Sequence, residues 1–421
     1  MKTIEFHIIQ TYNASNPNRD ANGDPKTVTV GGVKRARISS QSLKRAMRDK
    51  FSENANVGLF SVGKRTKMRV QLEKRLVGMN DENGKPINAS EASVLANLAW
   101  NLYSGKDANL KKSDEVEVDE DSGESEAKND DNAMIFVDQN SVENVVKWVA
   151  SNSSRLKNTK KPKNTKGKGK EKSHPDKLVE IPKEDSKDFQ KMQKEFLTML
   201  LEFEAIDIAL FGRMTASQRQ GTVEGSCLVA HAFSTHRLVA EFDFFTAVDD
   251  FAGIEDDKVG MLDSKGFNAS TMYRNLVVDV VQLEKNLDAD HDKTETAIRA
   301  FVKAMVDSYP KALRNSHGEP PRPQAIIALI RDSNRTANLG DAFLRPIQSE
   351  GARNVAEISV EQLAKCYEST TRAYPDYRAD EAMMVSKSSE SKFPGADEVD
   401  VNVMIERIVA AYRSRREKSA A

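Results

Sequence analysis

Two tracts of opposite charge interrupt the middle of this sequence. Residues 114–131 contain ten acidic and one basic side chain, and residues 155–172 contain nine basic and one acidic. Both tracts are poor in large apolar residues, so neither can bury enough surface to offset the entropy lost on ordering. We therefore predict mobile insertions at about 104–134 and 151–185 within an otherwise folded chain. The segment between them has valines at helical spacing and predicts one ordered helix: Val142, Val145, Val146 and Val149.

The rest of the chain mixes strand and helix patterns. Ile4, Phe6 and Ile8 alternate with Glu5 and His7, which predicts a half-buried first strand. Apolar periods farther along predict helices over about 187–211, 294–307 and 399–412 and from Ser359, and strands over about 227–233, 238–245, 276–283 and 325–330. This order is typical of an α+β sheet domain with helical additions.

Composition narrows the class of protein. Hydrophobic residues make up 38% and charged residues 30% of the 421 positions, enough for a core beneath a very polar surface. The two cysteines, Cys227 and Cys366, are too few for a disulfide-stapled secreted scaffold. No apolar run approaches the roughly 18 residues of a membrane span, and polar residues interrupt the N-terminus where a signal peptide would be apolar. We expect a soluble protein of a reducing compartment, with no membrane partner.

A basic helix start is the most informative motif. Residues 34–75 contain 13 basic and three acidic side chains, although the whole chain has a net charge of -1. Within this region Ser39, Ser40 and Gln41 open a predicted helix, and Lys44 and Arg48 follow one turn apart on its polar side. The free N–H groups and the positive dipole at a helix N-terminus bind phosphate. The mononucleotide P-loop pattern is absent, so the motif indicates a polyanion such as RNA.

The same motif resembles a known family. Residues 18–20, Gly31-Gly32 and 37–48 resemble the start of the CasC family, the repeated backbone subunit of the type I-E CRISPR surveillance complex, Cascade. Further matches follow in the same order: Ala209–Met214, Ala230–His236, Phe245–Asp250, Gly260–Leu262, Phe267-Asn268, Tyr273-Arg274 and Asn338–Phe343. Together they extend from residue 1 to about 345, and their number and order make the resemblance specific.

The resemblance implies a fold shaped like a right hand. The palm, over 1–54 and 206–421, is expected to be RRM-like (ferredoxin-like), in the α+β class. Helical fingers are expected over 55–205, with the charged tracts inside them, and a β-hairpin thumb over about 244–267.

The resemblance also implies a function. The protein is expected to be non-catalytic and cofactor-free, in a prokaryotic cytoplasm, where copies polymerise head-to-tail along a CRISPR RNA and grip its phosphates. Its expected partners are the CRISPR RNA, target DNA that pairs with the guide, further copies of itself, other Cascade subunits and a recruited helicase-nuclease. The resemblance assigns RNA contacts to Arg19, Lys26, Arg37, Ser39, Ser40, Gln41, Lys44, Arg45, Arg48 and Arg213, and base-displacing wedges to Met214 and Phe251.

Two other functions remain open at this stage. Asp20 resembles the loop aspartate with which related type III backbone proteins support metal-dependent cleavage of target RNA, although no catalytic partner is recognisable here. A generic single-stranded RNA-binding protein is the second alternative. Cys227, His231 and His236 imitate a metal cluster, but strand alternation aligns His231 with Val229 and favours a hydrogen-bonded core histidine. We expect no bound metal.

Overall fold

The computed structural model describes residues 1–55, 60–104, 134–158, 186–215, 221–248, 259–311, 318–349 and 351–420. Its contacts divide the chain into two units. The first unit comprises Met1–Val57, Ala209–Phe211 and Gly225–Ala421, and the second comprises Gly58–Ile208 and Gly212–Glu224. Within the described ranges, no helix is both long and apolar enough to cross a membrane.

Strands and helices alternate irregularly along the chain. The strands are β1 (Thr3–Ser15), β2 (Thr27–Val30), β3 (Val33–Ile38), β4 (Gly63–Thr66), β5 (Ile135–Asp138), β6 (Cys227–Val229), β7 (Ala232–Ser234), β8 (Glu241–Val248), β9 (Val259–Asp279), β10 (Ala325–Arg331), β11 (Glu381–Ser386) and β12 (Ala396–Glu398). The helices are α1 (Ser40–Ala55), α2 (Met68–Leu76), α3 (Ala89–Ser104), α4 (Gln139–Ser151), α5 (Ser153–Asn158), α6 (Ser186–Leu201), α7 (Ile206–Phe211), α8 (Val280–Asn286), α9 (His291–Asp307), α10 (Val355–Ala373) and α11 (Val401–Ala420). Short 3-10 helices cover Leu339–Phe343 and Pro375–Tyr377. The chain is therefore of the α+β class.

A mixed sheet organises the first unit. Its strand order is β12-β11-β10-β1-β9-β7-β3-β2, and β6 and β8 also pair with β9. β1 lies at the centre, antiparallel to both β10 and β9. Every residue of β10 is buried, as expected of a strand covered on both faces.

Helices cover both faces of this sheet. On one face Ile9 and Ile327 belong to a core that includes Leu363 of α10. On the other, the Phe6 ring lies 6.0 Å from that of Phe301 in α9.

The first strand is buried on both faces, not on one as its alternation predicted. Glu5 and His7 are as inaccessible as Ile4 and Phe6. Glu5 is paired with Arg331, and the Nδ1 atom of His7 lies 2.8 Å from the Tyr273 hydroxyl. Partners on neighbouring strands therefore let a polar pattern occupy a fully buried strand.

A two-stranded ribbon extends from the sheet. β8 pairs with the first half of β9, from Glu241 opposite Phe267 to Val248 opposite Val259. Phe242, Phe244 and Leu262 are exposed on this ribbon, and the register puts all three on one face. The predicted thumb wedge Phe251 lies outside the described residues.

The second unit is a helical core beside a short two-stranded ladder. Buried residues of α2, α3, α4 and α6 form the core, among them Leu72, Leu95, Val145 and Phe196. β4 pairs with β5. The predicted helix with its four valines is confirmed as α4. It is not the only folded element between residues 104 and 185, because β5 and α5 are also folded there. Leu156 of α5 is buried in the core, so the predicted mobile range from 151 began too early.

Candidate nucleic-acid interface

The start of α1 is fixed by side chains from other parts of the first unit. The Ser39 hydroxyl accepts the Ser42 N–H at 3.3 Å, so Ser39 caps the helix. The Ser39 N–H donates to Oδ1 of Asn18 at 2.9 Å, and the Ser40 N–H donates to Nδ1 of His231 at 3.3 Å. The half-buried hydroxyl and amide of Ser40 and Gln41 lie at the positive end of the helix dipole.

The cations of α1 are held over an aromatic ring. Lys44 Nζ lies 5.8 Å and the Arg48 guanidinium carbon 5.2 Å from the centre of the Phe211 ring. Phe211 in turn stacks on Phe51 of the same helix, with ring centres 5.9 Å apart. This cation–π contact orders both side chains without neutralising their charge. Arg45 is 76% exposed and pairs with Asp49 at 3.2 Å. Together with Lys44 and Arg48, it gives the helix three cations within two turns.

The loop between β1 and β2 joins this helix start. The Lys26 N–H donates to the Asn18 carbonyl, and the Lys26 carbonyl accepts the Arg37 N–H, at 2.8 and 2.9 Å. Lys26, Arg37 and Asn18 line a cavity of about 10 Å³, large enough for one water molecule. Nε of Arg37 is buried and has no hydrogen-bond partner in the described part of the chain. Arg19 is exposed on the same loop, where its backbone lies opposite that of Pro25 in an isolated antiparallel β-bridge.

Asp20 has a structural role in this loop. Its Oδ1 atom accepts the backbone N–H groups of Asn22 and Asp24, at 2.9 and 3.0 Å. This is the pattern of an aspartate that caps a turn. In the described ranges no group of three or more His, Cys, Asp or Glu side chains could hold a metal ion.

Arg213 and Met214 lie in the second unit and differ sharply in exposure. Arg213 is 4% exposed and donates to the carbonyls of Leu201 and Gly221, at 2.6 and 2.8 Å. Burial lowers the pKa of Arg213. Nε and Nη2 of the guanidinium therefore brace the backbone, while Nη1 has no hydrogen-bond partner among the described residues. The phosphate contact of Arg213 stays a prediction. Met214 is 75% exposed, as an apolar wedge requires.

The histidines whose spacing with Cys227 resembles a metal-binding cluster make hydrogen bonds to the protein instead. Nε2 of His236 accepts the Thr271 N–H at 3.1 Å, and its Nδ1 lies 2.8 Å from the Arg237 carbonyl. Burial lowers the pKa of His236 and raises that of Cys227. The predicted hydrogen bond of His231 is confirmed by its contact with Ser40. The predicted core position was wrong, because His231 is half-buried and lies between β6 and β7.

Sequence reasoning found the helix start but missed what supports it. Phe211 and Asn18 were not assigned, because neither is near the cations of α1 in sequence. Phe211 ends an apolar helical period and lies in the Ala209–Met214 match, but neither pattern indicates which helix its ring faces.

Two solved structures share this fold. A chain of a "CRISPR RNA-guided surveillance complex, pre-nicking" aligns with a TM-score of 0.75 and 24% identity, over 97% of this chain and 99% of that one. A chain of a "CRISPR RNA-guided surveillance complex" aligns with a TM-score of 0.66 and 22% identity over the same shares. No curated protein sequence matches the chain.

A sequence family covers nearly the whole chain. The model of the CT1975-like proteins matches residues 4–411, which include the α1 start, the loop between β1 and β2 and both units. The chain therefore belongs to the CT1975-like protein family.

Proposed function

We propose that this protein is a non-catalytic backbone subunit of a type I-E CRISPR surveillance complex, Cascade, and that it holds the CRISPR RNA by its phosphates. The observation that carries the proposal is the likeness in fold, over 97% of this chain and 99% of the other, to a chain of a CRISPR RNA-guided surveillance complex. The cationic α1 start supports it, because the loop and helix that carry Arg19, Lys26, Lys44 and Arg48 are tied together by hydrogen bonds.

In this proposal the first unit is the RRM-like palm, the second unit supplies the fingers, and the β8–β9 ribbon is the thumb. Ser40 and Gln41 at the helix start donate hydrogen bonds to one phosphate, and Lys44 and Arg48 neutralise the next phosphates along the strand. Such contacts carry no sequence information. One protein can therefore accept any spacer and leave the bases free to pair with target DNA.

Polymerisation follows from the same scheme. Copies contact one another head-to-tail along the guide, an arrangement that gives open filaments unless other subunits end them. The exposed Met214, together with Phe251 of the thumb, would displace a base between neighbouring copies. The filament would be completed by other Cascade subunits and would recruit a helicase-nuclease to destroy invading DNA, in a prokaryotic cytoplasm. In this proposal Asp20 has a structural role, which the capping of the loop by its Oδ1 atom supports.

The test is to purify the protein from its native host and to sequence the RNA that it carries. We expect a uniform population of CRISPR repeat–spacer transcripts, together with further copies of the protein and other Cascade subunits. Heterogeneous cellular RNA in a preparation that retains those subunits would contradict the proposal and support a generic single-stranded RNA-binding protein.

A further inference from the structure

The loop that carries Arg19 and Lys26 is attached to the base of the β8–β9 ribbon by one buried side chain, Asn16. Asn16 is 1% exposed. Its amide nitrogen donates to the carbonyl of Gly23 in the loop at 2.9 Å and to the carbonyl of Gly266 in β9 at 2.8 Å. One side chain therefore bridges the loop and the strand.

The register of the sheet explains why a side chain is needed here. The β1–β9 ladder shifts at its end and pairs Ser15 with Asn268. Continuation of that register would put Pro17 opposite Gly266. Proline has no N–H and cannot extend the ladder. The Asn16 amide donates to the Gly266 carbonyl in place of the backbone.

Gly266 shows how closely the loop approaches the strand. A Cβ atom at this position would lie 2.8 Å from Oδ1 of Asp24 and 3.0 Å from Cδ of Pro25, both in the loop. The second of these atoms belongs to a rigid ring next to Lys26. Any side chain at Gly266 would therefore push the loop away from β9.

We propose that Asn16 is a positioning residue for RNA binding: it fixes the β1–β2 loop so that Arg19 and Lys26 follow the same RNA strand as Lys44. This inference rests on the proposed function. Asn18 already ties the loop to the start of α1, so the bridge through Asn16 sets the remaining orientation of the loop. A loop released from β9 would keep its charges but present them to the phosphates only part of the time.

The experiment compares full-length wild type with Asn16→Leu, a variant of similar volume that loses both hydrogen bonds. Binding of fluorescein-labelled poly(U) RNA is titrated over a range of salt concentrations, well below the unfolding temperature. We expect the affinity to fall about tenfold, the effect of losing one hydrogen bond between a cation and a phosphate. If Arg19 and Lys26 both lose their phosphate contacts, the log–log salt slope should flatten by up to ~1.4, or ~0.7 per contact.

A double-mutant cycle separates positioning from a merely structural role. Adding Asn16→Leu to the Arg19→Ala, Lys26→Ala variant should change neither affinity nor slope further, because the residues act as one unit. The matched control is Asn275→Leu, which removes a buried asparagine that donates to the Phe6 carbonyl at 3.3 Å, on β9 but remote from the loop. It should lower the unfolding temperature and leave the salt slope at the wild-type value.

Gly266→Ala disturbs the same contact between the loop and β9, but from the side of the strand. This variant is used instead of Asn16→Leu if Asn16→Leu does not fold. An unchanged slope in the folded variant, or additive effects in the cycle, would overturn the role of Asn16 while leaving the proposed function intact. If wild type itself binds RNA without salt dependence, or does not bind it, the phosphate grip fails and the role of Asn16 fails with it.

Discussion

Glu5 and Arg331 form an ion pair in the middle of the sheet. Both side chains are 1% exposed, and Nη2 of Arg331 lies 2.9 Å from Oε2 of Glu5. The same oxygen also accepts hydrogen bonds from Nε–H of Arg331 and from the Ala337 N–H, at 3.2 and 3.3 Å. Burial alone would raise the pKa of Glu5, but His7 and Arg331 outweigh it and hold that pKa below its ordinary value. The carboxylate is therefore ionised, and its Oε2 atom accepts all three of these hydrogen bonds.

Replacing Glu5 by glutamine should strongly destabilise the first unit. The change leaves the Arg331 charge buried without a counter-ion, which costs about 3–5 kcal/mol. Urea denaturation followed by circular dichroism measures the change in the free energy of unfolding. The control is Asp376→Asn, which removes the partner of Arg335 in an ion pair exposed on both sides and should leave that free energy unchanged. Similar midpoints for both variants would show that the buried pair does not stabilise the sheet.

The sequence indicates that Glu5 lies on a strand but not that it is buried. Alternation of apolar and polar residues predicts one wet face, and this prediction fails when a polar residue finds its partner on another strand. Here the partner follows 326 positions later. No local pattern carries that information.

At the scale of elements, α1 is the part of the candidate site that sequence predicts best. Replacing Lys44 and Arg48 by alanine should weaken binding of every single-stranded RNA about equally. We expect the log–log salt slope to flatten by up to ~1.4, taking ~0.7 for each lost phosphate contact. Fluorescence anisotropy with two RNAs of unrelated sequence measures both effects.

The matched control for this pair is Lys50→Ala. Lys50 lies on the same helix but pairs with Glu53 at 2.8 Å, and its replacement should leave the slope unchanged. A steep slope retained by the double variant would mean that Lys44 and Arg48 do not contact phosphate.

The short helix α5 depends on a cap from a distant loop. The Glu82 carboxylate accepts the N–H groups of Ser153 and Ser154, at 2.8 and 2.9 Å, and the Ser153 hydroxyl at 3.0 Å. Burial would raise the pKa of Glu82, but these hydrogen bonds lower it from 4.5 to about 2. The charge therefore stabilises the helix start.

Glu82→Ala should lower the free energy of unfolding at neutral pH by about 1 kcal/mol, as for loss of a helix cap. Because the folded pKa lies below the unfolded one, the stabilisation is fully present above about pH 4.5 and is lost as the pH falls toward about 2. Thermal melts of wild type and variant should therefore converge in acid. Glu202→Ala, an exposed change in the same unit, is the control and should show no such convergence. A gap that stayed constant with pH would exclude a charged cap.

Element boundaries show where local patterns lose to tertiary contacts. The predicted helix over 187–211 is two helices, because the chain leaves the helix after Leu201 and the Glu204 N–H donates to Asp138 instead, at 2.7 Å. The helix predicted to begin at Ser359 is α10, and it begins one turn earlier, where Asn354 and Glu357 form its capping box. The apolar segment from 276 continues β9 only to Asp279, whose side chain caps α8 at Gln282.

At the scale of the whole molecule, the charged tracts should be dispensable for folding. Among the residues that the structure describes, the core of the second unit is formed between Met68 and Tyr103, between Ile135 and Leu156, and from Phe189 to Leu200. We expect that replacing 106–132 and 161–184 by short Gly/Ser linkers leaves the unfolding temperature near that of wild type.

Leu156→Ala is the contrasting change for this experiment. It removes a core residue that is 1% exposed and should cost about 2–5 kcal/mol. Differential scanning calorimetry compares the two variants with wild type. A large loss of stability in the linker variant would show that the tracts contribute to the core.

The sequence predicts the parts of the candidate site whose residues are contiguous, but few of the tertiary contacts that join those parts. The helix start can be predicted from its own residues, because phosphate-binding chemistry is concentrated in a few neighbouring positions. Arg19 and Lys26 of the loop were assigned only by the resemblance to a known family. Arg213 illustrates the opposite case. The resemblance assigned its charge to RNA, and only the structure shows that Nε and Nη2 of its guanidinium donate to backbone carbonyls.

The central position of β1 has a consequence for how the protein is made. β1 leaves the ribosome well before the strands on either side of it, because β9 begins only at Val259 and β10 at Ala325. At about 5–20 residues per second, Thr3–Ser15 must wait many seconds as an unpaired apolar segment. Chaperones are expected to protect a nascent chain of this kind, because its sheet can close only after β9 and β10 have been synthesised.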